Sequence, residues 1–159
     1  MIRAFYGISK DPFEQNTINL LPGQQEIVDV LRVHSQQGGL CLVLGVPGTG
    51  KTTIKEHLQQ NADPKRTLIV TIGRTLHTYP NTLRLLCGAF QLEAKTTPFA
   101  GEKALIEQAF SMNRQGKTVM TIIDDAHLLE MQTLRKLRLL FGDFPKNHNL
   151  ILIGQPALM

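Results

Sequence analysis

The chain has 159 residues, a length that fits one domain and lets a folded chain remove roughly 70% of its unfolded surface from water, so a core can form without disulfide or metal staples. Apolar residues make up 42% and charged residues 19% of it, a globular balance that suggests neither disorder nor a fibrous repeat. Seventeen Lys and Arg against thirteen Asp and Glu give a net charge of +4, a mild excess that a nucleotide alone would satisfy.

In chain order, the N-terminal stretch MIRAFYGISKDPF lacks the apolar run of a signal peptide, and no run approaches the roughly 20 apolar residues of a membrane helix. The spacing of Ile27, Val30, Leu31 and His34 predicts one face of a helix. Leu40–Leu44 (LCLVL) follows as the first strand, and Cys41 within it reads as a buried thiol. With only Cys41 and Cys87 present, a disulfide framework is not expected, and the reducing cytoplasm is the expected compartment.

A helix beginning near Lys51 ends at NADPKR, and Leu68–Ile72 (LIVTI) is the second strand. TYPN around Pro80 opens the next helix, and TTPFAG separates it from another whose face is Leu105, Ile106, Ala109 and Met112. Val119–Ile123 (VMTII) and Leu150–Ile153 (LILI) are the third and fourth strands, the last preceded by FPKNHN. All four runs are continuous rather than alternating, the pattern of parallel strands covered on both faces. The expected fold is therefore α/β: a three-layer, doubly wound, mainly parallel sheet in one domain over residues 1–159, with the segment 1–22 packing on it.

GVPGTGKTT, residues 45–53, matches G-x-x-x-x-G-K-[ST] and stands where that motif works, after a strand and at a helix start. Gly45, Gly48 and Gly50 let the backbone turn so that successive N–H groups face phosphate oxygens at the positive end of a helix, which makes Gly45, Val46, Pro47, Gly48, Thr49, Gly50, Lys51, Thr52 and Thr53 the expected cofactor-binding residues. Lys51 is expected to reach β- and γ-phosphates, and Thr52 to offer its hydroxyl to Mg²⁺. Thr53 reads as helix packing or a minor phosphate contact. The bland alternative is a glycine-rich turn that binds nothing.

TIIDDAHLL, residues 121–129, supplies the acid that such a loop needs at the end of a neighbouring strand. Asp124 closes the apolar run and is expected to approach the ion beside Thr52; otherwise it caps a helix. Asp125 would orient or polarise an attacking water, or again act as a cap. His127 reads as a surface or packing residue near the same pocket.

These residues resemble AAA+ P-loop ATPases, and within them the ExeA/GspA-like group, which includes transposon-associated TniB-type and more distant MuB-type ATPases. The resemblance covers nearly the whole chain and rests on FYGISKDPF, GVPGTGKTT, TIIDDAHLL and the terminal LILIGQPAL. It implies binding of ATP and Mg²⁺ and ATP hydrolysis in a homo-oligomer that drives or times a larger machine. Lys51 and Thr52 match the family's Walker A positions and Asp124 its Walker B acid. Asp125 stands where the family carries Glu, one methylene longer. Gln155 matches a polar sensor of the γ-phosphate, with a loop residue before Pro156 as the plain alternative.

The resemblance also implies a fifth strand, a trans-acting arginine and a helical lid, none expected within residues 1–159. An arginine finger contributes roughly 10³ to 10⁵ in rate in other NTPases, so weak turnover is expected. DNA transposition, with DNA or a transposase as partner, is the expected setting, because the membrane span and cell-wall-binding domain of secretion relatives do not occur in these residues. A secretion-pathway ATPase and a nucleotide-dependent assembly module with little hydrolysis remain alternatives. Arg135, Lys136 and Arg138 on an amphipathic helix with Leu134, Leu137, Leu140 and Phe141 inward form a basic patch for nucleic-acid backbone, a subunit or solvent. Phe5, Tyr6 and Phe13 would line the adenine pocket or pin the N-terminal segment to the core.

Overall fold

The computed structural model describes residues 18–73, 78–93 and 96–158; the expectations for Phe5, Tyr6 and Phe13 lie outside the described residues. Among the described residues, four strands, β1 (Gly39–Leu44), β2 (Thr67–Ile72), β3 (Thr118–Ile123) and β4 (Asn149–Gly154), are each preceded by helix: α1 (Pro22–Gln37), α2 (Lys51–Gln60), the consecutive α3 (Tyr79–Ala89) and α4 (Pro98–Arg114), and α5 (Met131–Gly142). Each expected strand forms within a residue of its apolar run. The strands pair in parallel in the order β1-β4-β3-β2.

Alternation along the two central strands makes the sandwich. Ile151 and Ile153 of β4 join Met120 and Ile122 of β3 on one face, where Val28 and Leu31 of α1 and Ile54 and Leu58 of α2 close the core. Leu150 and Leu152 join Val119 and Ile123 on the other, under Leu83 and Leu86 of α3, Leu105 and Ala109 of α4, and Leu137, Leu140 and Phe141 of α5. Helices on both faces of a parallel sheet give the three-layer, doubly wound architecture expected from the sequence.

Proline sets three helix starts: Pro22, Pro80 and Pro98 occupy the first turns of α1, α3 and α4, where the missing N–H costs no hydrogen bond. TTPFAG therefore opens α4 as well as separating it from α3, and Thr97 Oγ1 accepts from the Ala100 N–H at 3.2 Å as its cap.

Three expectations about the first helix and strand are corrected. The buried residues of α1 are Val28 and Leu31, whereas Ile27, Val30 and His34 are exposed. β1 lies at the sheet edge, so it is not covered on both faces: Leu40 and Leu42 are 50% and 48% exposed. Cys41 is for the same reason only partly buried, enough for burial to push its thiol pKa up.

At the opposite end of the sheet from the glycine-rich loop, His148 is buried against Phe141, with ring centroids 4.9 Å apart and planes within 9°. Its Nε2 lies 2.9 Å from Thr121 Oγ1, and burial lowers its pKa from 6.5 to about 4.

Candidate functional site

The site is built at the C-terminal ends of β1, β4 and β3, the side of a parallel sheet where ligands gather. β1 leads into the loop of residues 45–50 and then directly into α2. The loop is tied to the neighbouring strand by the Gly45 N–H, which donates to the Gly154 carbonyl at 3.1 Å. Gln155, the next residue after Gly154, therefore stands beside the loop, between it and the end of β3.

Gly48 and Gly50 hold φ of 84° and 81°, left-handed values that side-chain-bearing residues adopt at a cost. Thr49 closes the turn, its Oγ1 donating to the Val46 carbonyl at 2.9 Å. The stretch Val46, Pro47, Gly48 and Thr49 is exposed, and Lys51 folds back over it, Nζ donating to the carbonyls of Gly45 at 2.7 Å and Val46 at 2.8 Å. The ammonium is thus held across the mouth of a backbone loop. No acid stands in the first turn of α2, so the positive end of its dipole is not neutralised locally. Thr52 is exposed in that turn, and Thr53 Oγ1 lies 3.7 Å from where a Cβ on Gly50 would stand.

Asp124 follows β3 directly, and its N–H extends the ladder to the Ile72 carbonyl at 2.9 Å. Its two carboxylate oxygens are used differently: Oδ1 accepts the Asp125 N–H at 2.9 Å, and Oδ2 pairs with Lys55 Nζ of α2 at 2.5 Å. Thr52 lies three residues before Lys55 on α2 and so shares its helix face, which brings that hydroxyl to the side of α2 that Asp124 approaches. A hydroxyl and a carboxylate are hard oxygen donors of the kind Mg²⁺ takes.

Asp125 has φ 52° and ψ 34°, a left-handed backbone that Asp tolerates better than most residues. Its exposed side chain makes no capping hydrogen bond to the short 3₁₀ turn Ala126–Leu128, so the alternative reading as a cap finds no bond to support it. His127, inside that turn, is partly buried, and its Nδ1 has no hydrogen-bond partner among the described residues.

Two residues of this site escaped sequence reasoning. Lys55 is one; its signal was its place four residues after Lys51. Gln24 is the other: from the first turn of α1, its Nε2 donates to the Thr49 carbonyl at 3.3 Å. The basic helix also divides. Arg135 and Arg138 flank an apolar groove with Leu40 and Leu42 of the edge strand, whereas Lys136 sits 5.2 Å from the Tyr79 ring centre. Tyr79 Oη in turn donates to Glu102 Oε1 at 2.7 Å.

The family described as "AAA domain" matches residues 33–159, and the chain belongs to it. Within that class it falls in the ExeA/GspA-like group of AAA+ ATPases. General secretion pathway protein A of Aeromonas hydrophila is 32% identical over 170 residues, an alignment covering 99% of this chain and 30% of that protein. Among solved structures, the Aeropyrum pernix ORC2 protein, in ADPNP-ADP complexes, matches with a TM-score of 0.64 at 14% identity, over 92% of this chain and 45% of that one. Drosophila ORC bound to DNA matches with a TM-score of 0.63 at 20% identity, over 89% of this chain and 40% of that one. These likenesses are of fold. The chain spans less than half the length of each of these three relatives. Among the described residues, no helix is long and apolar enough to cross a membrane.

Proposed function

We propose that residues 1–159 act as one P-loop core that binds ATP·Mg²⁺ and hydrolyses ATP to drive or time a macromolecular machine. The observation that carries this reading is the 3.1 Å bond from the Gly45 N–H to the Gly154 carbonyl together with the 2.5 Å contact of Lys55 with Asp124. The first joins the loop to the strand that ends in Gln155, and the second joins the helix after the loop to the acid after β3.

In this reading the backbone N–H groups of the loop between Gly45 and Thr53 and the start of α2 receive the phosphates. Lys51 gives up the Gly45 and Val46 carbonyls for the β- and γ-phosphate oxygens, a short move because its ammonium already lies across the loop. Thr52 and Asp124 would hold Mg²⁺, which when bound neutralises charge on the β- and γ-phosphates. Asp125 directs its exposed carboxylate toward a water and accepts a hydrogen bond from it, lining it up with the terminal phosphorus. Gln155 senses the terminal phosphate from the neighbouring strand end.

For the machine served, the 32% identity to General secretion pathway protein A supports a secretion-pathway role. The transposition reading, with DNA or a transposase as partner, is supported only by the exposed pair Arg135 and Arg138. A homo-oligomer is part of either reading. A nucleotide-dependent assembly module with little hydrolysis is the competing account of the chemistry.

Phosphate release with and without duplex DNA tests these readings, with Lys51→Ala as baseline. Release above that baseline supports the ATPase, and stimulation by DNA supports the DNA-linked role. ATP binding with release equal to the baseline supports the assembly module instead.

A further inference from the structure

The pair formed by Lys55 and Asp124 is unlike the other ion pairs of the described residues. Arg32 with Asp29, Arg66 with Asp63, and Lys103 with Glu107 join neighbours three or four residues apart, with every side chain more than half exposed. Solvent screens such pairs. Lys55 and Asp124 are 69 positions apart and only 18% and 16% exposed, at 2.5 Å. Charges so placed are screened far less.

We propose that Lys55 is a positioning residue that supplies an internal cation to Asp124 and sets how much Mg²⁺ the nucleotide site needs. The proposal rests on the reading that Thr52 and Asp124 hold Mg²⁺. Since Oδ1 of Asp124 is committed to the Asp125 N–H, Oδ2 is the oxygen left to face a cation, and Lys55 Nζ already has it. A divalent ion that uses Asp124 must displace this ammonium or share the carboxylate with it. Displacement gives up a strong charge-assisted hydrogen bond, and sharing brings two positive charges together. Both effects weaken Mg²⁺ binding, so they have the same sign. Without Mg²⁺, the pair holds Asp124 oriented at the end of β3, with its charge matched in a largely enclosed place.

Lys55 lies four residues after Lys51 and three after Thr52, on the same side of α2 as both. If Mg²⁺ took Oδ2, the displaced Lys55 ammonium would remain on the side of α2 that carries Lys51. The site thereby exchanges one cation for another rather than filling an empty acid.

The test is equilibrium binding of a fluorescent ATP analogue to the full chain, started in EDTA and titrated with Mg²⁺, for wild type, Lys55→Met, Lys55→Gln and Lys55→Arg. Circular dichroism confirms which variants fold. The half-saturating Mg²⁺ concentration is expected to fall about fivefold or more in Lys55→Met and Lys55→Gln. Lys55→Arg, which keeps the charge, should stay within about twofold of wild type. A folded, neutral variant with the wild-type Mg²⁺ midpoint overturns the proposal, as does a Lys55→Arg midpoint that moves with the neutral variants. If wild type binds no analogue with or without Mg²⁺, the nucleotide reading itself fails and this proposal falls with it.

Discussion

Gln24 braces the glycine-rich loop from a different helix: its Nε2 donates to the Thr49 carbonyl at 3.3 Å while its Oε1 accepts the Leu21 N–H at 3.0 Å. One side chain thus satisfies an orphan N–H at the start of α1 and holds the loop at its turn. Gln24→Ala removes both contacts. A hydrogen bond contributes about 0.5–1.5 kcal/mol net, so ATP-analogue affinity should weaken by roughly 2- to 10-fold while the fold persists. Unchanged affinity in a fluorescence titration would show that the brace does not reach the ligand.

Gly50 and Gln24 are coupled by contact. A Cβ on Gly50 would stand 2.1 Å from Gln24 Nε2, and its φ of 81° is left-handed. Gly50→Ala should therefore lose about 1–2 kcal/mol to backbone strain, plus the displaced amide. In the Gln24→Ala background the same substitution should cost measurably less, because the clash is gone and the strain remains. Denaturant unfolding of the four proteins in the cycle measures this. Strict additivity would contradict the contact.

Asp125 carries its functional reading on an unusual backbone, φ 52°. Asn shares the tolerance of Asp for that region, so Asp125→Asn keeps the local fold while removing the carboxylate. ATP-analogue binding should stay within about twofold of wild type, and phosphate release should fall by about 10² or more, the range of general-base contributions. Wild-type release from this variant would exclude Asp125 as the group that orients water.

His148 makes stability depend on pH. Its pKa is about 4 in the folded chain against 6.5 as the ordinary value, so the unfolded state binds more protons between these values. Stability is then fully present above about pH 6.5 and is lost as pH falls toward 4. The loss from this group between pH 7 and pH 5 should be on the order of 2 kcal/mol. Urea unfolding at several pH values measures it. His148→Leu should be less stable at pH 7 and show a flatter fall to pH 5; an equally steep fall would assign the pH dependence elsewhere.

The four strands and the loop were legible because their signals are contiguous: LCLVL, LIVTI, VMTII and LILI are runs without a charge and with at most one threonine, and GVPGTGKTT carries its turn, lysine and hydroxyl in one run. What was not legible is pairing across distance. Gln24 meets Thr49 across 25 positions and Lys55 meets Asp124 across 69, and nothing local to either residue marks its partner. Strand order was hidden for a related reason. Four equally apolar runs do not say which lies at the edge, so Cys41, Ile27 and Val30 read as more buried than they are. Burial of α1 through Val28 and Leu31 follows from where β1 sits, a tertiary fact.

The proposed function stands on ATP binding through Lys51, whose ammonium lies across the loop carbonyls of Gly45 and Val46. Isothermal titration of ATP with Mg²⁺ into wild type and Lys51→Ala tests it most directly. Saturable one-site binding by wild type, weakened at least about tenfold in a folded Lys51→Ala, is the expected result. Equal affinity of the two proteins, or no binding by wild type, would contradict it.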